Sequence, residues 1–126
     1  MTIIIEDIHI PQTGVLEIHR TVEIGVSADE AHRRCNIWLA NDVNMGLLAQ
    51  QPTLILQENP VWRLPIVLAV ASVGVVGVVG QLHIDSSTGE ILYTQEQIEH
   101  MLNRAEELTE QLPAFHPQPV PQTFLA

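Results

Sequence analysis

The clearest periodic segment lies near the end of the chain, between Ile98 and Leu112. Its apolar side chains recur every three or four residues, and glutamates occupy many of the positions between them. This spacing gathers the apolar side chains on one face of a helix. Thr94 and Gln97 match a capping box at the start, and Pro113 cannot continue a helix. The pattern therefore predicts an amphipathic helix after Thr94.

A second helix is predicted after Ser27. Ser27 and Glu30 also match a capping box, and an apolar stripe follows at helical spacing. That stripe consists of Ala31, Cys35, Trp38 and Leu39. We expect this helix to end near Asn44-Met45-Gly46.

The segment from Val15 to Val26 has a different period. Apolar residues alternate with polar residues or glycine through most of it, and Arg20 interrupts the apolar set. A period of two with one polar face is typical of a strand in an antiparallel sheet. The sequence therefore predicts a strand here.

The run from Leu64 to Leu82 contains no charged residue over 19 positions, which is about the length of a membrane-spanning helix. It also contains Pro65, three glycines and many valines, and this composition favours strands. A break near Ser72-Val73-Gly74 divides it into two strand-length pieces, and Asp85–Gly89 has the composition of a turn into a further strand. We expect a strand pair, with a membrane span at 64–82 as the alternative.

These elements predict one α+β domain over residues 1–113. We expect an antiparallel sheet of about five strands with two helices packed on one face. The strand end at Pro60–Pro65 lacks two amide donors, which suits a sheet edge or a bulge. Residues 114–126 contain three closely spaced prolines and predict an extended tail.

Charge narrows the range of partners. The 126 residues include 5 Lys+Arg and 15 Asp+Glu, so the formal net charge is −10, and lysine is absent. An acidic chain repels phosphate, which disfavours direct binding of nucleic acid or of an anionic membrane and favours a basic partner. The single cysteine and the absence of a recognisable secretory signal lead us to expect a cytoplasmic protein.

Candidate catalytic and metal-binding groups are scattered along the chain. The six histidines show no ligand spacing typical of a metal site, and Cys35 falls on an apolar stripe although His32 stands one turn away. We therefore predict no catalytic residue, no metal and no cofactor. An enzyme that gathers Glu17, His19 and His83 in one pocket remains a rival hypothesis.

Four residues are candidates for partner binding: Trp62, Arg63, Phe115 and Phe124. Trp and Arg are enriched at interface hot spots. The alternative for the first pair is a core tryptophan beside an outward-facing arginine, because neighbours on a strand point to opposite faces. The two phenylalanines give the tail apolar side chains that can contact another protein surface, which an ordinary polar linker lacks.

The run Ile84-Asp85-x-x-Thr88-Gly89-Glu90-Ile91-Leu92 resembles the closing strand pair of PepSY-type domains. This resemblance implies a small α+β module that binds or inhibits another protein rather than a catalyst. The Val/Gly run before it and the lack of a secretory signal depart from that family. The stretch from Trp62 to Glu90 also resembles small bacterial proteins encoded beside ribonuclease toxins, which would imply an acidic antitoxin whose tail lies on a basic toxin.

We therefore expect a non-catalytic protein-binding module, either by strand addition at an edge or through the tail. Self-association is expected too, because the Val/Gly hairpin presents more apolar surface than two helices cover. A small-molecule-binding regulatory domain is a further alternative.

Overall fold

The structure is a computed structural model that describes residues 2–6, 9 and 12–112. Within these residues the chain forms one six-stranded sheet and two helices. The strands are β1 (Ile3–Ile5), β2 (Leu47–Ala49), β3 (Thr53–Leu56), β4 (Val61–Val70), β5 (Gly74–Asp85) and β6 (Ile91–Leu92). The helices are α1 (Ala28–Trp38), which continues into a π-helical turn at Leu39–Val43, and α2 (Gln95–Glu110). The predicted α+β class is confirmed.

The long strand β4 organises the sheet. β3 and β2 pair antiparallel with successive parts of one of its edges, and β5 pairs antiparallel with the other edge. β6 pairs antiparallel with the end of β5, whereas β1 pairs with β3 in parallel. The sheet is therefore mixed rather than wholly antiparallel. A parallel pair needs a long crossover, and the chain between β1 and β3 supplies one that includes α1.

The predicted strand from Val15 to Val26 is wrong. Residues 15–24 have no regular secondary structure, and most of their side chains are exposed. Only the end of the segment is hydrogen-bonded to the residues that follow β5. The Gly25 and Val26 amides both donate to the Ser86 carbonyl at 2.9 Å. Alternation shows which face a strand would bury, but it does not determine whether the segment pairs with a sheet.

The uncharged run from Leu64 to Leu82 lies in the antiparallel pair β4–β5, with a turn at residues 71–73. The predicted strand pair and its break are confirmed. In the described part of the chain, no helix has the length and apolar character needed to cross a membrane.

Both helices pack on the same face of the sheet. Buried side chains from α1, α2 and the strands form one core, which includes Ala31, Cys35, Leu39, Trp62, Leu64, Ile66, Leu82, Ile84, Ile98, Met101, Ala105 and Leu108. Each large aliphatic side chain buried in this way contributes about 1.5–3 kcal/mol. This arrangement, with helices on one face only, confirms the prediction and leaves the opposite face of the sheet to be accounted for.

The two helix starts differ in their caps. α2 begins with the full capping box that the sequence predicts. At α1, Ser27 Oγ accepts from the Glu30 amide at 3.1 Å, but the Glu30 carboxylate does not complete the box. It accepts instead from Arg33 at 2.7 Å and Arg34 at 2.8 Å, and these hydrogen bonds lower the pKa of Glu30 to about 2.

Candidate binding surface

The strand register places one row of apolar side chains on the face opposite the helices. Leu48 on β2 pairs with Val67 on β4, which pairs with Val78 on β5. Ala69 and Val75 form the next row. We call these five residues the apolar patch. It contains no charged side chain, whereas the chain as a whole carries 20.

Two irregularities in β5 produce this arrangement. The register with β4 shifts twice, so that Val79 and Val76 are extra residues on β5. Such a bulge turns two consecutive side chains towards one face. Val76 and Val79 therefore pack with the core beside Gly77 and Gly80, while Val75 and Val78 point away from the helices.

The glycines are needed because α2 crosses directly over them. A Cβ at Gly80 would lie 2.8 Å from Met101 Cγ, and one at Gly77 would lie 3.1 Å from Leu108 Cδ1. The three-residue spacing of glycine thus brings α2 close to β5. The two bulges set Val75 and Val78, three positions apart, on the opposite face.

The patch is largely open in the described structure. Leu48 is 44% exposed, Val75 58% and Val78 59%, whereas Val67 is buried. Both helices contribute to the core on the other face, and no described element packs over the patch. The outer edge of β5 is also free among the described residues before His83, where pairing with β6 begins. Three large aliphatic side chains of the patch, Leu48, Val75 and Val78, are therefore exposed on one face of the sheet.

A charged groove lies on the same face of the sheet, at the end remote from the patch. Arg63 forms an ion pair with Glu6 at 2.7 Å and donates from Nε to His83 Nε2 at 3.1 Å. That bond requires Nε2 of His83 to be unprotonated. Burial, reinforced by the Arg63 charge and opposed by Glu6, lowers the pKa of His83. The groove measures about 680 Å³ and is also lined by Glu90 and Tyr93.

The candidate partner residues separate into three places. Trp62 is 1% exposed, and its indole N–H donates to the Val26 carbonyl at 2.8 Å, so it belongs to the core. Arg63, its neighbour, lines the charged groove. Phe115 and Phe124 lie outside the described residues.

The structure does not assemble the groups that the enzyme hypothesis requires. Glu17 and His19 lie 4.0 Å apart with highly exposed side chains, and neither lines the groove that contains His83. Within residues 2–6, 9 and 12–112, no group of three or more His, Cys, Asp or Glu side chains could hold a metal ion.

The thiol and imidazole of α1 do not form a pair. Cys35 is buried, and burial raises the pKa of its thiol to about 12. His32 Nε2 lies 2.7 Å from the Ala49 carbonyl, to which it donates. This geometry supplies no activated nucleophile.

Sequence reasoning missed the exposed members of the patch, Leu48, Val75 and Val78. The regular glycine spacing was the available signal, but the bulges that decide each side chain's face follow from pairing with β4. No protein-family model matches the chain, and comparisons with curated proteins and with solved structures also find no match.

Proposed function

We propose that this protein is a non-catalytic protein-binding domain whose apolar patch contacts a partner protein. The observation that carries the proposal is the exposure of Leu48, Val75 and Val78 on a sheet face that no described helix or strand covers. The centre of a protein interface is depleted in charge and rimmed by polar groups. The patch, with Gln50 and Gln81 at the next positions along the sheet, has that character.

The charge of the chain favours a basic partner. The formal net charge is −10, and α2 alone contributes five glutamates against one arginine, Arg104, which pairs with Glu107. Excess charge of one sign accelerates encounter with a partner of the opposite sign, while the uncharged patch supplies the contact that is desolvated. An acidic inhibitory partner of a basic protein, of the antitoxin-like kind, is the finer form of the proposal.

A capture experiment with two matched variants tests the proposal. The full chain is immobilised as wild type, as Leu48→Asp and as Ile37→Asp, and each is exposed to lysate from the source cells. Ile37 is the control, because it is a similarly exposed aliphatic residue on α1. We expect the wild type and Ile37→Asp to retain the same basic protein, and Leu48→Asp to lose at least about tenfold in affinity for it.

Binding measured afterwards between the two purified proteins fixes the stoichiometry. Equal capture by all three forms would place the contact elsewhere on the molecule. No specific capture by the wild type would overturn the proposed function.

A further inference from the structure

The chain itself contains a segment suited to the apolar patch. Residues 113–126 include Phe115, Val120, Phe124 and Leu125, and none of these 14 residues is Asp, Glu, Lys or Arg. All 20 charged side chains of the protein precede Pro113. An uncharged apolar segment and an uncharged apolar surface associate without desolvating an ion.

The described chain ends on the helix side of the sheet, at the hairpin tip of β4 and β5. Met101 lies over Gly80 and Leu108 over Gly77, so α2 runs antiparallel to β5 and ends near the hairpin tip. From Leu108 to Leu112 the chain advances about 6 Å at the helical rise, which corresponds to about two strand residues. The described chain therefore ends, at Leu112, level with Gly74 and Val75, and the patch lies on the opposite face of the sheet.

The length of the segment is sufficient for the path. Fourteen residues span at most about 46–50 Å when extended. Crossing from β5 to β2 over β4 requires about 10 Å, since neighbouring strands lie about 4.8 Å apart. About 10 Å more takes the chain from one face of the sheet to the other. The reach therefore covers the row from Val78 to Leu48.

We propose that the patch binds the chain's own residues 113–126, which a partner must displace. The segment is a better candidate than a second copy because it is tethered, and a short tether gives an effective concentration of about 1 mM. The contact between residues 113–126 and the patch does not depend on a partner protein. The competition between these residues and a partner for the patch rests on the proposed function.

Paramagnetic relaxation tests the contact in the full chain. A nitroxide is attached at Gln122→Cys, which reacts selectively because Cys35 is buried with a raised thiol pKa. We expect the methyl signals of Leu48, Val75 and Val78 to lose most of their intensity, while those of Ile37 keep theirs. A label at Arg33→Cys is the matched control, because Arg33 is exposed on α1 on the helix side of the sheet, and it should leave the patch signals unchanged.

Two further samples make the result decisive. Adding Phe115→Ser and Phe124→Ser to the labelled chain should restore the patch signals. Mixing labelled chains with isotope-enriched unlabelled chains should leave the enriched chains unaffected. Broadening in that mixture would assign the contact to a second copy, and absence of broadening in every sample would exclude the contact; either result overturns the proposal.

The same double variant separates this inference from the proposed function. A tail bound with a dissociation constant of about 0.1 mM at an effective concentration of about 1 mM weakens partner affinity by about tenfold. Releasing the tail should therefore raise partner affinity by about that factor. Patch broadening without any partner capture would leave the tail contact standing and overturn the proposed function alone; unchanged partner affinity after release would overturn the competition.

Discussion

Trp62 and Arg63 are neighbours in the sequence but lie on opposite faces of β4. The indole is buried and hydrogen-bonded to Val26, whereas the guanidinium forms a partly exposed ion pair with Glu6. Trp62→Ala should lower the free energy of unfolding by about 3–5 kcal/mol, because it leaves a large cavity. Arg63→Ala should lower it by about 1 kcal/mol or less. Urea unfolding of both variants measures the two values, and comparable losses would contradict this placement.

His83 is the residue from which a pH effect is expected. Its pKa is lowered from the ordinary value of 6.5, chiefly by burial, so the folded state takes up this proton at lower pH than the unfolded chain. Stability should therefore fall as the pH decreases below about 6.5, until the folded state is protonated too. His83→Gln keeps an acceptor for Arg63 and removes the titration.

Urea unfolding at about pH 7.5 and about pH 5.5 tests this expectation, with wild type and His83→Gln compared at each pH. The wild type should lose more stability than the variant on acidification. The acids interfere little in this window, since the strongly perturbed Glu30 loses its contribution between its ordinary pKa of 4.5 and about 2. Equal losses in both proteins would show that His83 does not cause the change.

At the scale of elements, β5 depends on the glycines under α2. Gly80→Val inserts a branched side chain against Met101, and overpacking of this kind costs about 1–3 kcal/mol. Val78→Thr changes the opposite face of the same strand and should cost less than about 1 kcal/mol at its exposed position. Thermal and urea unfolding of the two variants compare the faces directly. A larger loss for Val78→Thr would mean that the bulged register is wrong.

The helices and the hairpin could be predicted because their signals are local. A capping box at Thr94 and the periodic apolar stripe after it fix α2 without reference to the rest of the chain. The break at Ser72-Val73-Gly74 likewise separates β4 from β5. The segment from Val15 to Val26 shows the limit of such reasoning, because alternation does not reveal whether the segment pairs with another strand.

The candidate surface could be predicted only in outline. An excess of apolar area on the hairpin follows from the composition of Leu64–Leu82. The individual residues of the patch could not be predicted from composition. Leu48 and Val78 share a row only because β2 and β5 both pair with β4. Glu6 and Arg63 are also brought together by strand order rather than by spacing in the sequence.

At the scale of the whole molecule, charge and apolar surface are segregated. Charged side chains occupy the helices, the loops and one end of the sheet, while the apolar patch and residues 113–126 carry none. Net repulsion between copies of an acidic chain opposes non-specific association, and the uncharged patch restricts close contact to one place. This distribution supports the proposal that the protein is a binding domain.

Photo-cross-linking from position 48 tests the central claim most directly. A photoreactive amino acid replaces Leu48 in one sample of the full chain and Ile37 in another, and both are irradiated in lysate from the source cells. Adducts with a second polypeptide should form from position 48 and not from position 37, because only the first lies in the apolar patch. Adducts from both positions alike, or from neither, would contradict the assignment of the patch as the partner-binding surface.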